Sequence, residues 1–172
     1  QDYKIPGTTT LFLEFKRHSA IYLFSIGSTE KATTLLKDIL AEVHDIVNGS
    51  GGNIDINLVC VKDCVKLNQA SIHFWLEDYE EARLILEEIV TYYESSTEDL
   101  YLIKMVNFIS IAFTYLAWIF LRKKQIVDAE KSFLHAMKVI STVKAYTKEK
   151  LKETQFIDSK VKKIFIYGII YY

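Results

Sequence analysis

Helices alone, arranged as antiparallel hairpins stacked into an α-solenoid, are what this sequence should form. Three observations lead there. The 172-residue chain has only 6 glycines and 1 proline, too few for the turns of a sandwich, a barrel or a doubly wound sheet. Apolar residues recur at helical spacing along nearly its whole length. Small residues also fall twelve apart in three places, at Ala20 and Ala32, Ala70 and Ala82, and Ala117 and Ala129. Two helices joined by a tight turn approach most closely where side chains are smallest, so each pair marks one hairpin.

The elements follow in order. A first helix is expected over residues 10–26 and ends at Gly27, which suits a left-handed cap. Ser28 or Thr29 caps a second, with Glu30 in its first turn, running to Val47. The glycine-rich stretch from Asn48 to Asn53 reads as a flexible loop. A third helix covers residues 56–76. Asp78, with Glu81 three residues on, resembles a capping box and starts a fourth helix that continues to Tyr93. A junction at 94–97 leads to a fifth helix over 98–122 and a sixth over 126–145. A polar stretch, 147–154, precedes a last apolar run, 161–172.

The third hairpin is the fullest copy of a pattern. Phe113, Leu116, Ala117 and Phe120 occupy its first helix, and Ala129, Phe133 and Ala136 its second. The second copy keeps Gln69, Ala70, His73, Ala82 and Leu86; the first keeps Ala20, Leu23, Ala32 and Leu36. Together they resemble the tetratricopeptide repeat. The expected organisation is one solenoid unit over 1–172, with repeats over 10–47, 56–93 and 98–145. A truncated further helix at 158–172 carries Gly168 as the small residue of a fourth copy. Equivalent small residues lie 50, 47 and 51 apart, against about 34 in the ordinary unit. The helices or their connections are therefore expected to be longer than usual.

Composition narrows the function. Hydrophobic residues make up 50% and charged residues 25%, which supports a folded core rather than disorder. A net charge of −1 lacks the basic excess of a dedicated nucleic-acid or anionic-membrane binder. Cys60 and Cys64 stand one helical turn apart and read as reduced, buried thiols of a cytoplasmic protein, the nucleus being the alternative. The chain begins at Gln1 rather than Met and is read as a fragment. Residues 105–121 are strongly apolar but fall short of the roughly 20 residues a membrane span needs, and Asn107, Ser110 and Thr114 interrupt them. A buried core helix is expected there, and no membrane.

Catalysis finds no support. His18, His44, His73 and His135 lie on four different expected helices, and no phosphate loop, nucleophile elbow or HExxH motif is present. Cys60 and Cys64 lack the paired short-spaced partners of a structural zinc site. No enzyme activity, cofactor, metal or small-molecule substrate is expected. Binding fits better. In this repeat the first helix of each hairpin lines a groove, which places Arg17, Ile21 and Phe24 there, then Leu67, Ser71, Phe74 and Trp75, then Thr114, Trp118 and Leu121. Phe24, Phe74, Trp75, Trp118 and Leu121 are the expected partner contacts, an apolar and aromatic set suited to a partner's helix or a later repeat. A carboxylate clamp would need Lys, Asn and Arg instead, and only Asn68 falls near such a position. The cluster Arg122, Lys123 and Lys124, with Lys160, Lys162 and Lys163, would meet phosphates if RNA were bound; the near-zero net charge favours a solvated helix end.

Several stretches resemble one family beyond the generic repeat. They are Asp2-Tyr3-Lys4-Ile5, Glu14-Phe15, Val43-His44, and Leu67-Asn68-Gln69-Ala70 leading to Asp78-Tyr79-Glu80-Glu81-Ala82. In order and spacing they look like the amino-terminal repeats of the subunit-ten family of the Ccr-Not mRNA deadenylase complex. Pro6-Gly7 and the glycine loop depart from that pattern. The resemblance implies a noncatalytic scaffold that pairs with the eleventh subunit and docks on the large Not scaffold, contributing to mRNA decay without a nuclease site.

Overall fold

The computed structural model describes residues 8–49 and 55–153. Among the described residues there are six helices and no strand: α1 (Thr8–Ser25), α2 (Thr29–Gly49), α3 (Ile56–Trp75), α4 (Tyr79–Ser95), α5 (Asp99–Arg122) and α6 (Ile126–Glu153). The protein is all-α. The opening Asp2–Ile5 motif and the expected helix at 158–172 lie outside the described residues.

Two boundaries differ from expectation. Helix α2 includes Asn48 and Gly49, and α6 passes residue 145 to reach Glu153. Lys and Glu are good helix formers, so the polar stretch after 145 removes the apolar stripe without stopping the helix. Helix α3 also has a cap that the periodicity does not reveal: the Asp55 carboxylate accepts the Asn57 backbone N–H at 2.9 Å.

Three connections of one design fold the helices into pairs. Three residues separate α1 from α2, α3 from α4, and α5 from α6. The middle residue is left-handed each time: Gly27 at φ 82°, Glu77 at 64° and Lys124 at 60°. The amides of Gly27, Glu77 and Lys124 donate to the carbonyls of Phe24, Phe74 and Leu121. The next amides, of Ser28, Asp78 and Gln125, reach back to Leu23, His73 and Phe120. This is the Schellman ending, which satisfies carbonyls the helix leaves open. The carbonyls of Ser28, Asp78 and Gln125 then accept from Ala32, Ala82 and Ala129 and begin the second helix. The capping box expected at Asp78 does not form; its carboxylate makes no cap bond and lies 2.9 Å from His73 Nδ1 across the turn.

All six alanines of the twelve-residue pairs are buried, five of them completely. Each helix packs on its pair-mate, each second helix packs on the first helix of the next pair, and α1, α3 and α5 also meet in series. Two core clusters result. One joins Leu13, Ala20, Leu36 and Ile39 to the Leu58, Val61, Val65 and Ile72 side of α3. The other joins the Cys60, Cys64 and Leu67 side of α3 to α4, α5 and the start of α6. Helix α3 is thus buried on two sides, and its apolar residues leave no clean polar stripe.

Helix α5 is long and apolar enough, by length and composition, to cross a membrane, longer than the 105–121 run suggests. Its Tyr101, Met105, Ile109, Ala112, Leu116 and Ile119 are instead buried against α3, α4 and α6, the arrangement of a core helix.

Candidate partner-binding surface

The five expected contact residues separate into two groups. Phe24 is half-buried and packs against the first core cluster. Phe74 is half-buried as well, with its ring 4.9 Å from Tyr115, 5.6 Å from Tyr79 and 5.8 Å from Trp75. Such tilted and edge-to-face contacts hold neighbouring helices together. Phe24 and Phe74 are therefore already engaged in packing. Leu121 is half-buried at the end of α5. Trp75 and Trp118 remain open, 65% and 49% exposed, although the Trp75 ring meets that of Phe74 edge to face.

The positions around these aromatics show how one hairpin meets the next. Arg17 and Leu67, three residues before their alanines, are buried, whereas the equivalent Thr114 is half-buried. Arg17 is held by Glu14, with Nε 2.8 Å from the carboxylate. Ser71 and Tyr115 share a hydroxyl hydrogen bond of 2.9 Å between α3 and α5. Trp118 occupies in the third pair the place that Ser71 holds in the second. No further pair stands beside Trp118 among the described residues, and its ring is left exposed.

Between α3 and α5 the second core encloses a polar pair that the sequence did not single out. The Tyr101 hydroxyl donates to the Asp63 carboxylate at 2.6 Å, and both residues are buried. Desolvation raises the Asp63 carboxyl above its ordinary value, opposed by that hydrogen bond and by the nearby Lys62 and Lys66. The only hint in the sequence is an aspartate inside an otherwise apolar helix. Cys60 and Cys64 lie beside it as free thiols. Burial pushes them up to about 11 and about 12, so neither is a nucleophile near neutral pH. No group of three or more metal-ligating side chains is gathered among the described residues.

Two further surfaces escaped the periodicity argument. One is a cleft of about 480 Å3 between the far ends of α2 and α4, floored by Leu58 and Val59 and edged by Lys62, Lys66 and Tyr92. Both cations are engaged there: Lys66 pairs with Glu88, and Lys62 lies 5.3 Å from the Tyr92 ring centroid. The other is the outer face of α1, where Leu11, Phe15 and Tyr22 are exposed. Of the basic cluster, Lys123 is paired with Glu80 across the α4–α5 junction.

No family model matches the chain, and neither a curated protein nor a solved structure matches it. What fold and surface define is a class: an all-helical protein of paired helices, with exposed aromatics on the first helix of the later pairs.

Proposed function

We propose that the chain is a noncatalytic protein–protein scaffold, an α-solenoid of tetratricopeptide-like hairpins. The observation that carries this reading is the recurrence of one hairpin three times. Each copy has a buried alanine, a left-handed residue seven positions later, and a second buried alanine five positions beyond that. Units that repeat in this way contact mainly their neighbours and extend a surface rather than enclosing a pocket. The serial contact of α1, α3 and α5 puts the first helices on one side, which supports a groove lined by them. Trp75 and Trp118 there offer apolar area that a partner's helix would cover.

The particular assembly we propose is an mRNA deadenylase complex of the Ccr-Not type, on the sequence resemblance alone, with the eleventh subunit and the large Not scaffold as partners and the cytoplasm as its place. A tetratricopeptide adaptor or peptide-sensing regulator of an unrelated complex is the second reading, favoured by the same exposed tryptophans. Trp75→Ser tests the scaffold. It should weaken partner capture in a pull-down while circular dichroism stays unchanged; a folded variant that retains every partner places recognition elsewhere. Deadenylase subunits among the captured proteins support the particular assembly, and their absence leaves the adaptor.

A further inference from the structure

We propose that the cleft between α2 and α4 binds an aliphatic carboxylate, a hydrocarbon tail with one anionic head. Its place in the series singles it out. Lys62 and Lys66 stand eight and four residues before Ala70, where α5 carries Ile109 and Phe113 before Ala117. Val43 stands eleven residues after Ala32, where α4 carries Tyr93 after Ala82. Among α4, α5 and α6 these counterparts close into a packed core: Ile109 and Phe113 are buried in the second cluster, and Tyr93 packs against it. Between α2 and α4 a smaller side chain and two lysines take their places, and about 480 Å3 stays open. The cleft is thus the one of two equivalent junctions that the sequence leaves unfilled.

The lining dictates the ligand. Leu58 and Val59 of α3 form the floor, and Leu40, Val43 and Val47 form the α2 wall. A volume of this size, lined by apolar side chains with a few polar groups, is what small-molecule sites have in common. The cations sit together at one edge. Lys62 and Lys66 are one turn apart on α3 and so share a face, and neither charge is locked away. The Lys62 ammonium lies 5.3 Å from the Tyr92 ring centroid. The carboxylate nearest it, that of Asp63, is 3.9 Å off and is hydrogen-bonded by Tyr101 through its other oxygen. Lys66 is paired with Glu88, whose side chain is 63% exposed, and an exposed pair of that kind exchanges readily for another carboxylate. His44, at the α2 edge, is bonded to Asn48 at 2.8 Å. An anionic head at the lysines with its tail over Leu58 and Val59 satisfies both halves of this lining. A cationic or headless tail satisfies only one.

Calorimetric titration of the 172-residue chain with dodecanoate, kept below the concentration at which it forms micelles, tests this. One molecule should bind per chain. Dodecyltrimethylammonium, with the same tail and the opposite charge, should bind about tenfold more weakly. Methyl resonances of Val43, Val47, Leu58 and Val59 should shift with dodecanoate, and those of Leu11 on the exposed face of α1 should not. Lys66→Met keeps the cleft open and removes one charge, which should weaken dodecanoate about tenfold. Lys66→Phe places the α5 counterpart in the cleft and should abolish binding. Lys62→Met and Lys62→Ile serve if either variant unfolds by circular dichroism, and the comparison of the two amphiphiles needs no variant. Equal affinity for both, uptake that does not saturate, or shifts that spread to Leu11 overturn the site. So does a Lys66→Phe chain that binds dodecanoate like the wild type. Cleft methyls that stay still with dodecanoate and shift only with a captured protein give the cleft to a protein partner and overturn the carboxylate.

Discussion

Asp63 is a carboxyl group 2% exposed in a helical core, and Tyr101 is what makes it tolerable. A hydrogen bond to a charged buried group is worth about 1.5–3 kcal/mol, so Tyr101→Phe should destabilise the fold by roughly that amount at pH 7, read from urea unfolding. The sign of the pH dependence follows from burial. Because the folded Asp63 carboxyl is raised above its ordinary value, the folded chain binds more protons than the unfolded one in that range. Its contribution to stability is therefore greatest at low pH and falls as pH rises through the window above the ordinary carboxyl value. The penalty of Tyr101→Phe should accordingly shrink when the measurement is repeated near pH 4, where the carboxyl is closer to neutral. An equal penalty at both values would show that packing, not charge, dominates the pair.

The hairpin turns belong to the scale of the element. Only the first uses glycine at its left-handed position. Glu77 and Lys124 adopt the same backbone with a Cβ, at a cost of about 1–2 kcal/mol each. A Cβ added at Gly27 would meet nothing within 4 Å, so Gly27→Ala isolates the backbone cost and should destabilise by about 1 kcal/mol. Glu77→Gly should move the other way by a similar amount, less the entropy that glycine restores to the unfolded chain. Thermal melts of both variants check the pair; a melting temperature that rises for Gly27→Ala would mean the turn is not held left-handed in solution. The sequence marks the first turn through its glycine. The alanine pairs mark the second and third, but not which residue turns left-handed, because the backbone at Glu77 and Lys124 is set by the helices that close around them.

Across the whole molecule, stability should follow position in the series. Helix α3 belongs to both core clusters and α5 is packed by α3, α4 and α6, whereas α1 is covered on one side. In arrays of neighbour-coupled units, terminal elements open first. Native-state hydrogen exchange should therefore find the slowest amides in α3 and α5 and faster ones in α1. Exchange in α1 as slow as in α3 under dilute, monomeric conditions would mean that the chain unfolds as a single cooperative block.

Periodicity and the three alanine pairs were enough to place six helices and to pair them, because both signals are local: a helix needs one apolar stripe, and a tight hairpin needs small residues at a fixed offset from its turn. The exposed tryptophans were legible for the same reason, although the engagement of Phe24 and Phe74 in packing was not. What a side chain touches depends on the neighbouring pair, and no spacing within one helix reports that. Only the tertiary structure decided that Asp63 and Tyr101, 38 residues apart, share a hydrogen bond. It also decided that Val61, Val65 and Ile72 of α3 are buried while Leu11, Phe15 and Tyr22, at the same offsets from Ala20 as those are from Ala70, are exposed on α1. Sequence specifies each helical pair; burial at its faces depends on the helices packed beside it, since it exists only where a neighbour stands.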